Sequence, residues 1–134
     1  MDMDKILEFL QQNKIFYFAT VDGDKPRVRP LGMFMEFENK LYLSVATHKP
    51  SYAQLKANPN VEICTAGGEG SWIRIKGKAV FDDRAAVIER IFERMPMLKD
   101  MYSKESGLKL APFYLADGEA IIADFKGNVE KIIF

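Results

Sequence analysis

The chain has 134 residues, 48% of them hydrophobic, which fits one domain over 1–134 with a genuine core. Basic and acidic residues both total 19, and a net charge of zero argues against broad electrostatic attraction to nucleic acid. With one cysteine and one histidine there is neither an intramolecular disulfide nor a Cys/His zinc site, so no metal is expected.

The acidic start Met1-Asp2-Met3-Asp4-Lys5 has no long apolar run behind it and does not read as a signal peptide. No apolar run approaches the roughly 20 residues that cross a bilayer. The simplest expectation is a soluble, cytoplasmic protein with no membrane partner. Asp4 reads as the cap of a helix over 5–13, with Ile6, Phe9 and Leu10 at helical spacing. Residues 15–21, IFYFATV, read as a buried strand, and Asp22-Gly23-Asp24 as a hairpin turn. A long strand is predicted over 26–37, a turn at 38–40 and a returning strand over 41–46. Pro50 suits a first helical position, and Pro59 ends that helix at Asn58. Tyr52 and Leu55 are expected to face inward.

Residues 61–66 and 71–81 read as two strands across Gly67-Gly68-Glu69-Gly70, and Cys64 as a buried structural thiol. Asp82 and Asp83 are expected to cap a helix of about 12 residues whose apolar face carries Val87, Ile88, Ile91 and Phe92. The stretch 95–111 reads as irregular, 113–115 as a short extended piece, and 119–125 and 129–134 as paired strands across Lys126-Gly127-Asn128. The whole is mainly β with flanking helices: six to seven antiparallel strands, which usually close into a barrel.

Three places could carry chemistry. On the strand over 26–37, Arg27 and Arg29 project from one face, which Leu31, Met33, Met35 and Phe37 continue as apolar. Such a face is either a solvated rim or a seat for a ligand with an anionic end and a flat apolar end. At the entrance of the helix at Pro50 lie Thr47, His48, Lys49 and Ser51. Free N–H groups, the helix dipole and Lys49 suit an anion there; ordinary capping is the competing reading. Trp72, Arg74 and Lys76 alternate on one strand face, as a ligand clasp or as a surface side with a partly buried Trp. His48 is a weak candidate proton donor, more readily a solvated loop histidine. No Ser-His-Asp or Cys-His set assembles, and the glycine loop is too generic for a nucleotide fingerprint. An anion seat beside a flat apolar neighbourhood, with little acid–base machinery, points to chemistry carried by a bound cofactor.

The segments FATVDGDKPRVRPLG (18–32), KLYLSVATHKPSYAQLKANPNVEI (40–63) and SWIRIKGKAVFDD (71–83) resemble the pyridoxamine 5′-phosphate oxidase-like family of FMN-binding split β-barrels, in particular its small nitroimidazole-resistance-like members. The resemblance implies a Greek-key split barrel and a homodimer with FMN in clefts between subunits. It implies that backbone groups of Arg27, Val28, Arg29 and Pro30 run beside the flavin ring. The segment with Ser44, Val45 and Thr47 would hold the ribityl chain and phosphate, with Lys49 and Ser51 as phosphate ligands. Arg27 or Arg29 would add to the phosphate or pyrimidine end, and Trp72 and Arg74 would reach the cofactor from a neighbouring strand or the partner. His48 stands for the histidine that nitroimidazole-reductase relatives place near the flavin. The chain ends KGNVEKIIF, without the Arg-Leu-x-Pro element by which the oxidase grips its substrate phosphate, so the resemblance does not extend to pyridoxamine phosphate oxidation. The expected activity is flavin-mediated electron transfer to a small organic substrate, a nitro compound among the candidates. The alternative is a non-catalytic flavin or haem binding or storage module, and a deazaflavin could replace FMN.

Overall fold

In the computed structural model, which describes residues 2–134, eight strands form one antiparallel sheet with four helices around it. In chain order these are α1 (Asp2–Asn13), β1 (Phe16–Asp22), β2 (Lys25–Leu31), β3 (Met35–Phe37), β4 (Lys40–Ala46), α2 (Pro50–Ala57), β5 (Asn60–Ala66), β6 (Ser71–Phe81), α3 (Ala85–Arg94), α4 (Pro96–Met101), β7 (Leu110–Asp124) and β8 (Val129–Ile133). The strands run in the order β2-β1-β5-β6-β7-β4-β3, with β8 also pairing β7.

The two ends of that order, β2 and β3, are consecutive in the chain and separated only by residues 32–34. Seven strands laid flat would span nearly 30 Å at ~4.8 Å per strand, whereas four residue steps reach at most ~14 Å. The sheet must therefore curl until its ends meet. No ladder joins β2 to β3, so it is a split barrel and not a closed one.

The barrel interior is filled by alternate residues of each strand: Phe16 and Phe18 from β1, Ile63 from β5, Ile73 and Ile75 from β6, and Phe113 from β7, all 0–1% exposed. Ile6 and Leu10 of α1 plug it, with Phe9 partly buried against them. A second core of Met33, Met35, Tyr42, Val87 and Ile91 lies between α3 and the β3–β4 hairpin. Covered on both sides, β4 is buried at every position from Leu41 to Ala46.

Several sequence expectations are corrected. The helix expected from residue 5 already includes Asp4, which is no cap. The strand over 26–37 breaks at 32–34, because β2 and β3 belong to opposite ends of the sheet; Phe34 enters the barrel core while Met33 and Met35 enter the second one. The pieces at 113–115 and 119–125 are one 15-residue strand, β7, with a register shift opposite Lys76 and Lys78. A Cβ on Gly77, at that shift, would approach the Ala116 carbonyl to 3.0 Å, so the close passage of β7 favours glycine there. The stretch read as irregular contains α4. Cys64 is exposed: on β5 the inward positions are Val61, Ile63 and Thr65, which turns Cys64 to the outer face.

Nor do Asp82 and Asp83 cap α3, whose N-cap residue is Arg84 without a side-chain cap. Asp82 accepts instead from the Tyr42 hydroxyl at 2.7 Å and from Arg84, whose guanidinium also pairs with Glu38. Arg84, helped by the Tyr42 hydroxyl and opposed by burial, holds the Asp82 carboxyl down at about 2. Burial and the bond to Asp82 push the Tyr42 phenol up to about 12. Because the folded-state value lies below the ordinary carboxylate range, Asp82 stabilises the fold above about pH 4, and that contribution is lost as pH falls towards about 2. Asp82→Asn is expected to cost roughly 1–3 kcal/mol near neutral pH. Melting temperatures taken from about pH 5 down to about pH 2 should show the gap to wild type closing as pH drops; a constant gap would mean that the carboxylate charge is not what holds α3.

Candidate functional site

The entrance of α2 is built by the turn that follows β4. The Lys49 N–H returns to the Ala46 carbonyl at 3.0 Å, and the Thr47 N–H donates to the Lys109 carbonyl at 3.0 Å. Pro50, at the first helical position, has no N–H to offer. The residue at the cap position is Lys49, in extended conformation, and no side chain caps the helix. Ser51, 8% exposed, therefore keeps a hydroxyl with no hydrogen bond among the described residues, and Lys49 has no ion pair there.

Lys49 and Ser51 stand at one end of a cleft of about 560 Å³. Arg29 joins them from β2. Its Nη1 donates to Thr20 Oγ1 at 2.8 Å and to the Phe18 carbonyl at 3.3 Å, and its Nη2 to Gln54 Oε1 at 3.1 Å. The guanidinium lies 5.2 Å from the Phe18 ring centre. Burial lowers the Arg29 pKa from its ordinary value, yet an arginine stays charged at neutral pH. Pro30, Gly32 and Met33 line the cleft from the β2–β3 side, and Ser44 and Val45 from β4; the Ser44 hydroxyl donates to the Val45 carbonyl at 3.1 Å.

The far wall comes from Met95, Leu98, Tyr102 and Leu110. These were not singled out in the sequence, because 95–111 read as irregular. A signal was present: Met95, Leu98 and Tyr102 are spaced by three and then four, the period of one helix face. The cleft is thus cationic at one end and apolar along its length. Its lining includes no carboxylate, histidine or cysteine.

Among the residues predicted from sequence, the cleft collects Arg29, Pro30, Ser44, Val45, Lys49 and Ser51. Others lie outside it in a single copy. Arg27 turns to Asp22, Nε donating to the carboxylate at 3.1 Å, and Val28 is 68% exposed on the opposite face of β2. Thr47 lines an adjoining cavity of about 460 Å³ that shares Tyr102 and Leu110 with the cleft. His48 is exposed and borders neither. Trp72 and Arg74 sit on the outer face of β6, with Trp72 edge-on to Phe125 at 5.2 Å. A wider opening of about 620 Å³ beside β1, β5 and β6 mixes Asp24, Glu62 and Asp117 with Lys25, Lys76 and Lys78, so it offers no net charge to a ligand.

The split-barrel fold is shared with known proteins. Residues 3–115 fit the sequence profile of the family described as pyridoxamine 5′-phosphate oxidase. The chain belongs to this family. It is 42% identical to a NimC/NimA family protein from Clostridium acetobutylicum, over 99% of this chain and 92% of that one, with a TM-score of 0.90. General Stress Protein 26 from Bacillus anthracis shares the fold at 18% identity, covering 98% and 100% of the two chains with a TM-score of 0.70. So does a pyridoxamine 5′-phosphate oxidase-related, FMN-binding protein from Nostoc punctiforme, at 17% identity, 98% and 95% coverage and a TM-score of 0.63. No curated protein matches the chain. The family profile ends at Leu115, so the second half of β7 and all of β8 lie outside it.

Proposed function

We propose that the cleft binds FMN and that the protein is a flavin-dependent oxidoreductase acting on a small organic substrate. The observation that carries this reading is that two cations without a carboxylate partner among the described residues, Arg29 and Lys49, line a largely apolar cleft together with Ser51, whose hydroxyl has no hydrogen bond there. That donor set suits a phosphate monoester, and a cleft of this size falls in the usual range of ligand cavities, about 300–1,000 Å³. The apolar walls from Met33, Met95, Leu98 and Leu110 suit a flat ring and exclude water from it. When bound, FMN supplies the electron-transfer chemistry, while the chain's own residues bind, orient and desolvate it. Lys49, Ser51 and Arg29 would hold the phosphate, Ser44 and Val45 would lie along the ribityl chain, and Pro30 with Gly32 would border the ring.

Trp72 and Arg74 cannot join this set within one copy. The outer sheet face they occupy mixes exposed apolar side chains, Tyr17 at 53%, Val28 at 68% and Ile133 at 66%, with the charged Glu62, Lys76, Glu119 and Lys131. Pro30 shares the outer side of β2 with Val28 and also lines the cleft. A second copy docked on this face would therefore close the cleft mouth and bring Trp72 and Arg74 towards the cofactor, as a homodimer.

No lining residue is a carboxylate, histidine or cysteine, which equally favours a flavin or haem store that performs no turnover. One experiment separates the two. Purified protein should show flavin absorption and release FMN on heating. With reduced nicotinamide nucleotide and a nitroaromatic acceptor, an enzyme oxidises the nucleotide faster than the same concentration of free FMN. A yellow protein no faster than free FMN is a store, and an apoprotein that ignores added FMN overturns the flavin reading altogether.

A further inference from the structure

Arg29 is the firmly anchored cation of the cleft, and none of its anchors is charged. A guanidinium only donates, so Thr20 Oγ1 accepts from Arg29 and directs its single proton to Gln54 Oε1, 2.6 Å away. Gln54 must then turn its carbonyl oxygen to both Thr20 and Arg29, which settles the orientation of its amide. Thr20 is 2% exposed, and neither it nor Gln54 lines the cleft, so the pair holds Arg29 from behind the cleft wall.

Of the five N–H groups of Arg29, both on Nη1 and one on Nη2 are engaged. The remaining two, on Nε and Nη2, lie along one edge of the guanidinium. That edge is a two-pronged donor of the kind that grips a phosphate or carboxylate. Arg27 is neutralised by Asp22 at 3.1 Å, Arg84 by Asp82 at 2.9 Å and by Glu38, and Arg90 by Glu93, whereas Arg74 and Arg94, outside the cleft, have no ion pair among the described residues. Arg29 has no carboxylate partner among the described residues, and Gln54 is the reason. A glutamate at 54 would reach as far and hold Arg29 as well, but it would cancel the charge.

We propose that Gln54 and Thr20 are positioning residues that set the ligand preference of the cleft for an anionic over a neutral flavin. They aim the free edge of Arg29 while leaving its positive charge whole. The identity of the anion as the FMN phosphate rests on the function proposed above; the positioning role does not.

The test compares wild type with Gln54→Glu and Gln54→Met. Dissociation constants are measured for FMN and for riboflavin, which lacks the phosphate, and the Arg29 Nε–H resonance is followed by NMR during titration with inorganic phosphate. For FMN, Gln54→Glu should lose about tenfold or more and Gln54→Met less, while riboflavin affinity stays within about twofold. The Nε–H resonance should move saturably with phosphate in wild type and not in Gln54→Glu. Equal losses for both flavins, or a glutamate variant as good as wild type, would overturn the role, as would an Nε–H resonance indifferent to phosphate in wild type. If wild type binds neither flavin while that resonance still answers phosphate in a Gln54-dependent way, the FMN reading falls and the positioning role stands.

Discussion

Lys49→Ala weakens FMN binding by at least about tenfold and leaves the melting temperature unchanged. The expectation follows from the Lys49 side chain, since only the backbone of this residue helps to build the turn. It is exposed, forms no ion pair among the described residues, and its side chain does not cap α2. Its ammonium is therefore available to a ligand, and a charge-assisted hydrogen bond contributes roughly 1.5–3 kcal/mol, or about ten- to more than a hundredfold in affinity. Fluorescence titration of FMN against wild type and variant measures the loss, and riboflavin serves as the control that should not respond. Unchanged FMN affinity would remove the phosphate from this turn. The neighbouring Arg29 makes the test demanding, since two cations on one phosphate share its charge, and raised salt should weaken wild type more than the variant.

The second large effect concerns the floor of the cleft. Phe18→Ala should destabilise the protein by about 3–5 kcal/mol. For a chain of this length that lowers the melting temperature by roughly 10–18 °C. Phe18 is fully buried, stacks against Phe113 with ring centres 5.9 Å apart, and lies under the Arg29 guanidinium. Removing the ring leaves a cavity between β1 and β7, where the surrounding strands are tied into ladders and cannot collapse to fill it. Arg29 also loses a cation–π platform of about 0.5–1 kcal/mol. Phe18→Leu keeps much of the apolar volume and should cost about 1–2 kcal/mol while still weakening the preference for FMN over riboflavin. Equilibrium urea unfolding of the three proteins decides it. An alanine variant within 1 kcal/mol of wild type (about fivefold in the folded-to-unfolded ratio) would mean that the barrel interior relaxes around the loss.

Much of this was legible without coordinates, because strand and helix faces are encoded locally. The aromatic, β-branched run IFYFATV marks β1 as a strand, although Tyr17 turns out of the core, and Pro50 with Pro59 bounds α2 to within a residue or two. Basic and hydroxyl residues crowded at a helix entrance mark Lys49 and Ser51 as one end of a site. Cys64 turns outward on β5 because Val61 and Ile63, of the opposite parity, face the core. What alternation could not do was choose between Arg27 and Arg29. Both project from one face about 7 Å apart, and nothing local distinguishes them.

The pattern of apolar and polar residues alone located most strand segments and the cationic turn that precedes α2. Only the folded chain decided that Arg29 enters the cleft and Arg27 pairs with Asp22, that two strand pieces fuse into β7, and that Met95, Leu98 and Tyr102 form the far wall. The reason is that a side chain's face depends on its immediate neighbours in sequence, whereas its partner depends on which distant segment lies opposite. Thr20 and Gln54 are nine and 25 residues from Arg29 along the chain, and they meet it only because the sheet curls and α2 lies across β1.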